Sequence, residues 1–195
     1  DDKKKTEYYN IIFNESQRLS NIVNRILSFS KIESGKRNFN YKEININELI
    51  NKIINTFRYD LEQKEFFIDI QLNNDLPSIN ADEEAIGEAL FNLIDNAIKY
   101  CEKGKYLGIK SYSEDGKVCI EIKDKGNGIP TSEQKNIFDK FYRISKGDLA
   151  YPVKGNGLGL TIVKSIIESH GGQINVKSEL NKGSIFIVYL PFNNN

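Results

Sequence analysis

The sequence predicts an α+β fold, a two-layer α/β sandwich in which helices cover one face of a mixed sheet, preceded by one long helix. Three observations carry this reading. Residues 6–34 return to apolar side chains every seven positions, a helical seam. The stretches 46–61 and 83–100 each gather apolar residues on one helical face. The segments between and after them alternate apolar and polar residues and are joined by short polar turns, so their strands are mostly hairpin-connected. The glycine turns come late and leave hairpin strands, which does not match a doubly wound parallel sheet.

Taken in order, Ile12, Leu19 and Ile26 stand seven apart, with Ile22, Val23 and Phe29 between them. Ser34-Gly35 closes this first helix, glycine being a frequent residue just past a helix end. A lone helix cannot bury such a stripe and needs a partner helix, from a further segment, a second copy, or both. Residues 1–36 therefore form one unit and 37–195 a second. Phe39–Ile44 is a short strand, and Ile46–Leu61 is a helix with Leu49, Ile50, Ile53, Ile54 and Phe57 on one face. Phe66–Leu72 is a strand, and Asp75-Leu76-Pro77 is a turn.

The helix Glu83–Tyr100 follows, with Asp82 as N-cap and Glu83 and Glu84 suited to the first turn. Ile86, Leu90, Leu93, Ala97 and Ile98 form its apolar stripe. Asn92 and Asn96 are four apart and share a face, and Lys99 lies close to it. Two amides and an ammonium beside an apolar stripe suit a phosphate chain and its metal lying across the helix.

Tyr106–Tyr112 and Lys117–Lys123 form a hairpin about Ser113-Glu114-Asp115-Gly116. The second strand runs into Asp124-Lys125-Gly126-Asn127-Gly128-Ile129-Pro130. From Pro130 to Gly157 the chain is polar, with one short helical piece around Ser132–Tyr142. Gly155-Asn156-Gly157-Leu158-Gly159-Leu160 opens a helix that ends at Ser169-His170-Gly171-Gly172. Gln173–Leu180 and Ser184–Leu190 are the last strands.

Composition bounds the partners. The 195 residues are 39% hydrophobic and 28% charged, with 27 basic and 27 acidic side chains, so the formal net charge is zero. That balance argues against nucleic acid or an acidic membrane as the main partner. The two cysteines, Cys101 and Cys119, make no disulfide framework and no metal cluster, consistent with a reducing compartment. No apolar run is long enough to span a bilayer. The chain opens on Asp1-Asp2-Lys3-Lys4-Lys5 with no initiator Met or signal peptide, so a piece of a longer protein is expected.

Two glycine motifs carry chemistry. Asp124 ends a strand, where its carboxylate can accept from an exocyclic amine such as that of adenine, and the glycines beside it let a flat base approach the backbone. The Gly155–Gly159 turn frees backbone N–H groups at a helix start, where phosphate oxygens are held. Between them a long loop carries Phe138, Phe141, Tyr142, Arg143, Lys146 and Lys154 and has the makings of a lid over a nucleotide.

Asn92-x-x-x-Asn96-Ala97-x-Lys99-Tyr100, Asp124-x-Gly126-x-Gly128, Phe138-x-x-Phe141 and Gly155-x-Gly157-Leu158-Gly159, in this order, resemble the N, G1, F and G2 boxes of bacterial sensor histidine kinases. These belong to the wider ATPase superfamily that includes Hsp90, DNA gyrase and MutL. The tail Lys182-Gly183-Ser184-Ile185-Phe186 is similar to the closing strand motif. The stretch from Asn14-Glu15-Ser16-Gln17-Arg18-Leu19 to Ser30-Lys31-Ile32-Glu33-Ser34-Gly35 resembles the second helix of the dimerisation hairpin.

The resemblance implies roles. Asn96 would ligate Mg²⁺, Asn92 would support the metal site, Lys99 would meet phosphate and Tyr100 would flank the nucleotide. Asp124 would accept from the adenine amine. Gly126, Gly128, Ile129, Gly155, Gly157, Leu158 and Gly159 would form the base pocket and the lid hinge, with Arg143 a further phosphate contact. It also implies a cytoplasmic location, alone or as the cytoplasmic part of a membrane-bound sensor. A homodimer through the N-terminal helix and a response-regulator receiver domain as partner complete the picture.

The family's phospho-accepting histidine, on the first hairpin helix, has no counterpart here. His170 is the single histidine, and a structural, cationic cap at a helix end is expected of it. The chain would thus bind ATP for transfer to a histidine it does not carry. In the gyrase-like members an acidic residue at the place of Asn92 activates water. An amide cannot serve as that base, which favours transfer to histidine over hydrolysis. The alternative is a degenerate kinase, a non-catalytic module regulated by ATP binding.

Overall fold

The structure, a computed structural model, describes residues 2–33, 37–101, 104–144 and 157–192. Ser34-Gly35, Lys146, Lys154 and Gly155 lie outside these residues, as does the loop 145–156 to which the last three belong. The chain divides into two compact units, Asp1–Arg37 and Asn38–Asn195.

The first unit is the helix α1, Asp2–Glu33. Its seam residues Ile12, Leu19, Val23 and Ile26 are all exposed, Ile12 at 62% and Leu19 at 61%. The side chains of Ile22 and Phe29 fall outside those described.

In the second unit, β1 is Lys42–Ile44, α2 is Ile46–Gln63, β2 is Phe67–Leu72 and β3 is Ile79–Ala81. Then come α3 (Glu83–Tyr100), β4 (Tyr106–Glu114) and β5 (Lys117–Asp124). After a 3-10 turn at Asn136–Phe138, α4 (Gly159–Ser169) leads to β6 (Gln173–Glu179) and β7 (Gly183–Pro191). The five-stranded sheet runs β2-β4-β5-β7-β6, parallel only between β2 and β4, and β1 pairs with β3 in a separate ribbon. The architecture is the α+β sandwich read from the sequence, with the helices on one face of a mixed sheet.

Alternation decides which face is covered. Ile109, Ile122, Phe186 and Val176 form one row across four strands, and Ser111, Ile120, Val188 and Ile174 form the next. In these rows all but Val176 are buried, against Leu90, Leu93, Ile94, Ile162 and Ile166 of α3 and α4 among others in the core. α2 packs on α3 through Leu49, Ile53 and Phe57, the last meeting Phe91 ring to ring at 4.5 Å.

Helix starts follow the sequence signals. Asn45 caps α2 by accepting from the N–H of Asn47 and Glu48, and Asp82 caps α3 by accepting from the N–H of Ala85. Three details of the elements differ from expectation. The first strand begins at Lys42 rather than Phe39, because Phe39 and Tyr41 turn their rings onto His170. The helical piece at 132–142 contracts to three residues of 3-10 turn. β3 is an unforeseen strand of three residues, too short for alternation to register.

His170 is not a cation. The N–H of Asp82 points at its Nε2 at 3.1 Å, so that nitrogen must accept, while Nδ1 donates to the carbonyl of Ile166 at 2.8 Å. Both nitrogens are used by a neutral imidazole at the end of α4, overriding the preference of a helix terminus for positive charge. The two cysteines are buried free thiols. No described helix is long and apolar enough to cross a membrane.

Candidate nucleotide site

Asp124, the last residue of β5, is 5% exposed. Its Oδ1 accepts from the backbone N–H of Gly126 at 2.7 Å and of Ser184 at 3.3 Å. Burial pushes this carboxyl above its ordinary range, and the two backbone donors with the Ser184 hydroxyl oppose that rise. A carboxylate carried into the interior and held in a fixed orientation by backbone donors is a recognition group for an N–H donor.

The turn after it is tied on three sides. The N–H of Asn127 donates to the Tyr100 carbonyl, its carbonyl accepts from Asn181, and the N–H of Ile129 donates to Ser178 Oγ at 2.7 Å. Gly126 backs onto the Tyr100 carbonyl so closely that a Cβ there would lie 2.1 Å from that oxygen. Gly128 has φ of +67°, and its Cβ would meet the Glu179 carbonyl at 2.0 Å. Gly128→Ala is expected to destabilise the fold by about 2 kcal/mol, from left-handed strain and displacement of β6. Urea melts measure this, and an unchanged midpoint would mean that β6 yields freely.

α3 supplies the other side chains. Asn92 is buried, its Nδ2 donating to the Glu88 carbonyl at 2.9 Å. Its Oδ1 faces the start of α4, 3.6 Å from where a Cβ on Gly159 would stand. Asn96, one turn on, is half-buried, and its amide bonds to no other described residue. Lys99 is paired within the helix to Asp95, a partner four residues earlier that sequence reasoning passed over although the spacing announces it.

The N-terminal end of α4 completes the site. Leu158 is buried at the entry to the helix. Gly157 has φ of +69°, accepts at its carbonyl from the N–H of Phe141, and would drive a Cβ to 2.7 Å from the Phe141 carbonyl carbon. Phe141 and Gly157 are thus hydrogen-bonded to each other. Thr161 Oγ1 donates to the Phe138 carbonyl at 3.0 Å, tying the 3-10 turn to α4. Arg143 is exposed on the chain leaving Phe141.

The structure therefore joins Asp124, Gly126, Gly128, Ile129 and Tyr100 in one cluster and Asn92 with Gly159 in another, with Asn96 and Lys99 on the same helix between them. Ser178 and Thr161 had no signal in the sequence, and Ser184 stood out only as part of the closing strand motif, its bond to Asp124 spanning a long separation. Among the described residues no group of three or more His, Cys, Asp and Glu side chains could cage a metal. The oxygen donors on this face of α3 are the amide oxygens of Asn92 and Asn96, of the hard kind that suits a cation sharing its ligands with phosphate.

Residues 81–194 match the family described as histidine kinase-, DNA gyrase B-, and HSP90-like ATPase. The chain is 43% identical over 183 residues to sensor protein RprX of Bacteroides fragilis, covering 93% of the chain and 35% of that protein. It thus spans about a third of that relative's length. Full-length ShkA in complex with AMPPNP superposes with a TM-score of 0.80 at 27% identity, over 90% of this chain and 36% of that one. Histidine kinase ThkA in complex with response regulator protein TrrA gives 0.75 at 28% identity, over 95% and 51%.

Proposed function

The chain belongs to the histidine kinase-, DNA gyrase B- and HSP90-like ATPases, and from that membership we propose that it is the ATP-binding catalytic region of a sensor histidine kinase. The observation that carries the proposal is Asp124, a buried carboxylate fixed by backbone donors at a turn whose glycines let it close against the backbone of Tyr100 and Glu179. Its charge and orientation suit the exocyclic amine of adenine, with Gly126, Gly128 and Ile129 lining the base and Tyr100 flanking it. From there the phosphate chain runs along α3 toward Lys99, Asn96 and Asn92, and the Gly157-Leu158-Gly159 turn offers backbone N–H groups at the start of α4. Gly155 and Arg143 complete the set.

The amide oxygen of Asn96 would hold Mg²⁺, with Asn92 supporting it. The ion when bound neutralises phosphate charge as the transfer proceeds. The acceptor is a histidine on a dimerisation helix outside this chain. Its imidazole nitrogen forms the new bond to the γ-phosphorus as the bond to the bridging oxygen breaks, and ADP departs with that oxygen. Asn92 offers no base for water, so histidine is preferred over hydrolysis. The N-terminal unit, residues 1–36, would be the second helix of the hairpin, and its exposed Ile12, Leu19, Val23 and Ile26 would be covered by hairpin helices of the same and a second copy. The phosphoryl group would pass on to a response-regulator receiver domain in the cytoplasm.

The test is radiolabel transfer from γ-labelled ATP to the longer parent chain that includes the acceptor helix. Acid-labile label on that chain, and none on residues 1–195 alone, is the expected result. A parent chain with an intact acceptor that binds ATP and never labels would remove the kinase reading.

A further inference from the structure

One junction outside the nucleotide site holds both of the helices that build it. Asp82, the N-cap of α3, has each polar group engaged. Its Oδ1 accepts from Ala85, its Oδ2 accepts from the N–H of Asn40 at 2.8 Å, and its own N–H donates to His170 Nε2. His170 is the C-cap of α4 and is 8% exposed. The Phe39 ring meets it edge-on at 4.9 Å, Tyr41 lies at 5.0 Å, and the Tyr41 hydroxyl donates to the Ser169 carbonyl at 2.9 Å. The chain entering the catalytic unit, the start of α3 and the end of α4 thus meet at one imidazole.

α4 touches α3 at its other end too, where Gly159 faces Asn92 Oδ1. The helix has 11 residues, about 16 Å of axis at 1.5 Å per residue. Two helices held at both ends of a shared length have a fixed crossing, whereas release at one end lets the other swing. A side chain whose tautomer is set by two backbone bonds is a rigid pin, since neither bond can be kept by rotating the ring. We infer that His170 is a positioning residue: by accepting from Asp82 it fixes the crossing of α3 and α4, and so sets the spacing between the Asn92–Asn96 face and the Gly157–Gly159 turn. The inference rests on the nucleotide reading of that site.

Two amide variants separate the bonds. His170→Asn keeps a donor at the position of Nδ1 and cannot reach Asp82, whereas His170→Gln carries an acceptor to the position of Nε2. Binding of a fluorescent ATP analogue with Mg²⁺ is measured well below the melting temperature of each, together with amide exchange at Asp82. The Asn variant is expected to bind about tenfold more weakly with a faster-exchanging Asp82 amide, and the Gln variant to bind within about twofold of native. If His170→Asn does not fold, Asp82→Ala and Asp82→Pro share the loss of the cap and differ in the N–H. The φ of −81° at Asp82 suits proline, and the Pro variant should bind more weakly than the Ala variant. Equal affinities across either pair would overturn the positioning role, even with melting temperatures lowered. A native chain that binds no Mg²⁺–ATP at all would overturn the nucleotide reading, and this inference with it.

Discussion

Asn96→Ala is expected to reduce Mg²⁺–ATP affinity about 100-fold, close to 2.7 kcal/mol, while the melting temperature of the nucleotide-free chain stays where it is. The two halves of this expectation have separate grounds. Asn96 is half-buried and its side-chain amide makes no hydrogen bond to a described residue, so the fold loses little when that amide goes. The proposed metal, in contrast, loses the one protein oxygen assigned to it, and Mg²⁺ tolerates poor geometry badly. Calorimetric titration with a non-hydrolysable analogue, with and without Mg²⁺, reads the effect. The loss should appear with the metal and nearly vanish without it. Unchanged affinity in the presence of Mg²⁺ would undo the assignment of Asn96.

Asp124→Asn is expected to act in opposite directions on stability and on binding. Burial raises the carboxyl of Asp124 in the folded chain. A carboxyl raised on folding contributes stability that is present below its unfolded value and is lost as pH rises through its folded value. At neutral pH the native chain therefore carries the cost of a buried charge, relieved in part by Gly126 and Ser184. The amide removes that charge and keeps an oxygen for both donors. The ligand-free variant should melt higher than native at neutral pH, and the gap should close in acid, where both side chains are neutral. Adenine binding should fall about 100-fold, because the amide presents N–H toward the exocyclic amine, donor against donor. Affinity of the native chain should itself decline as pH drops through the raised value. A variant that binds as native does would remove Asp124 from the base pocket.

The arrangement of the candidate site was legible in the sequence wherever the relevant spacing is local. Asn92 and Asn96 share a face because a helix repeats near four residues, and Asp124 stands out because glycines stand two and four residues after it. The helices were legible for the same reason, with Asp82 marking the start of α3 as a capping residue should. What escaped depends on contacts between distant residues. Ser184 lies 60 positions from Asp124, and His170 lies 88 from Asp82. No local pattern predicts a backbone N–H arriving from another element to claim the Nε2 of an imidazole. The helix-end rule therefore missed that His170 Nε2 accepts from the Asp82 N–H. β3 was missed because three residues cannot display a period.

The strand order has a bearing on how the protein is made. β7, the last strand in the chain, lies between β5 and β6, not at an edge. It supplies Ser184, whose N–H helps hold the Asp124 carboxylate, and its register with β5 runs from Lys117 opposite Pro191 to Lys123 opposite Ile185. A chain emerging from the ribosome can pair β4 with β5 early, but it leaves a gap in the sheet until the residues of β7 are free to enter. Until then Asp124 lacks one of its two backbone donors and the core rows through Phe186 and Val188 stay open. Nascent or truncated chains lacking β7 should therefore neither bind nucleotide nor hide their apolar surface, and one late event brings both properties at once.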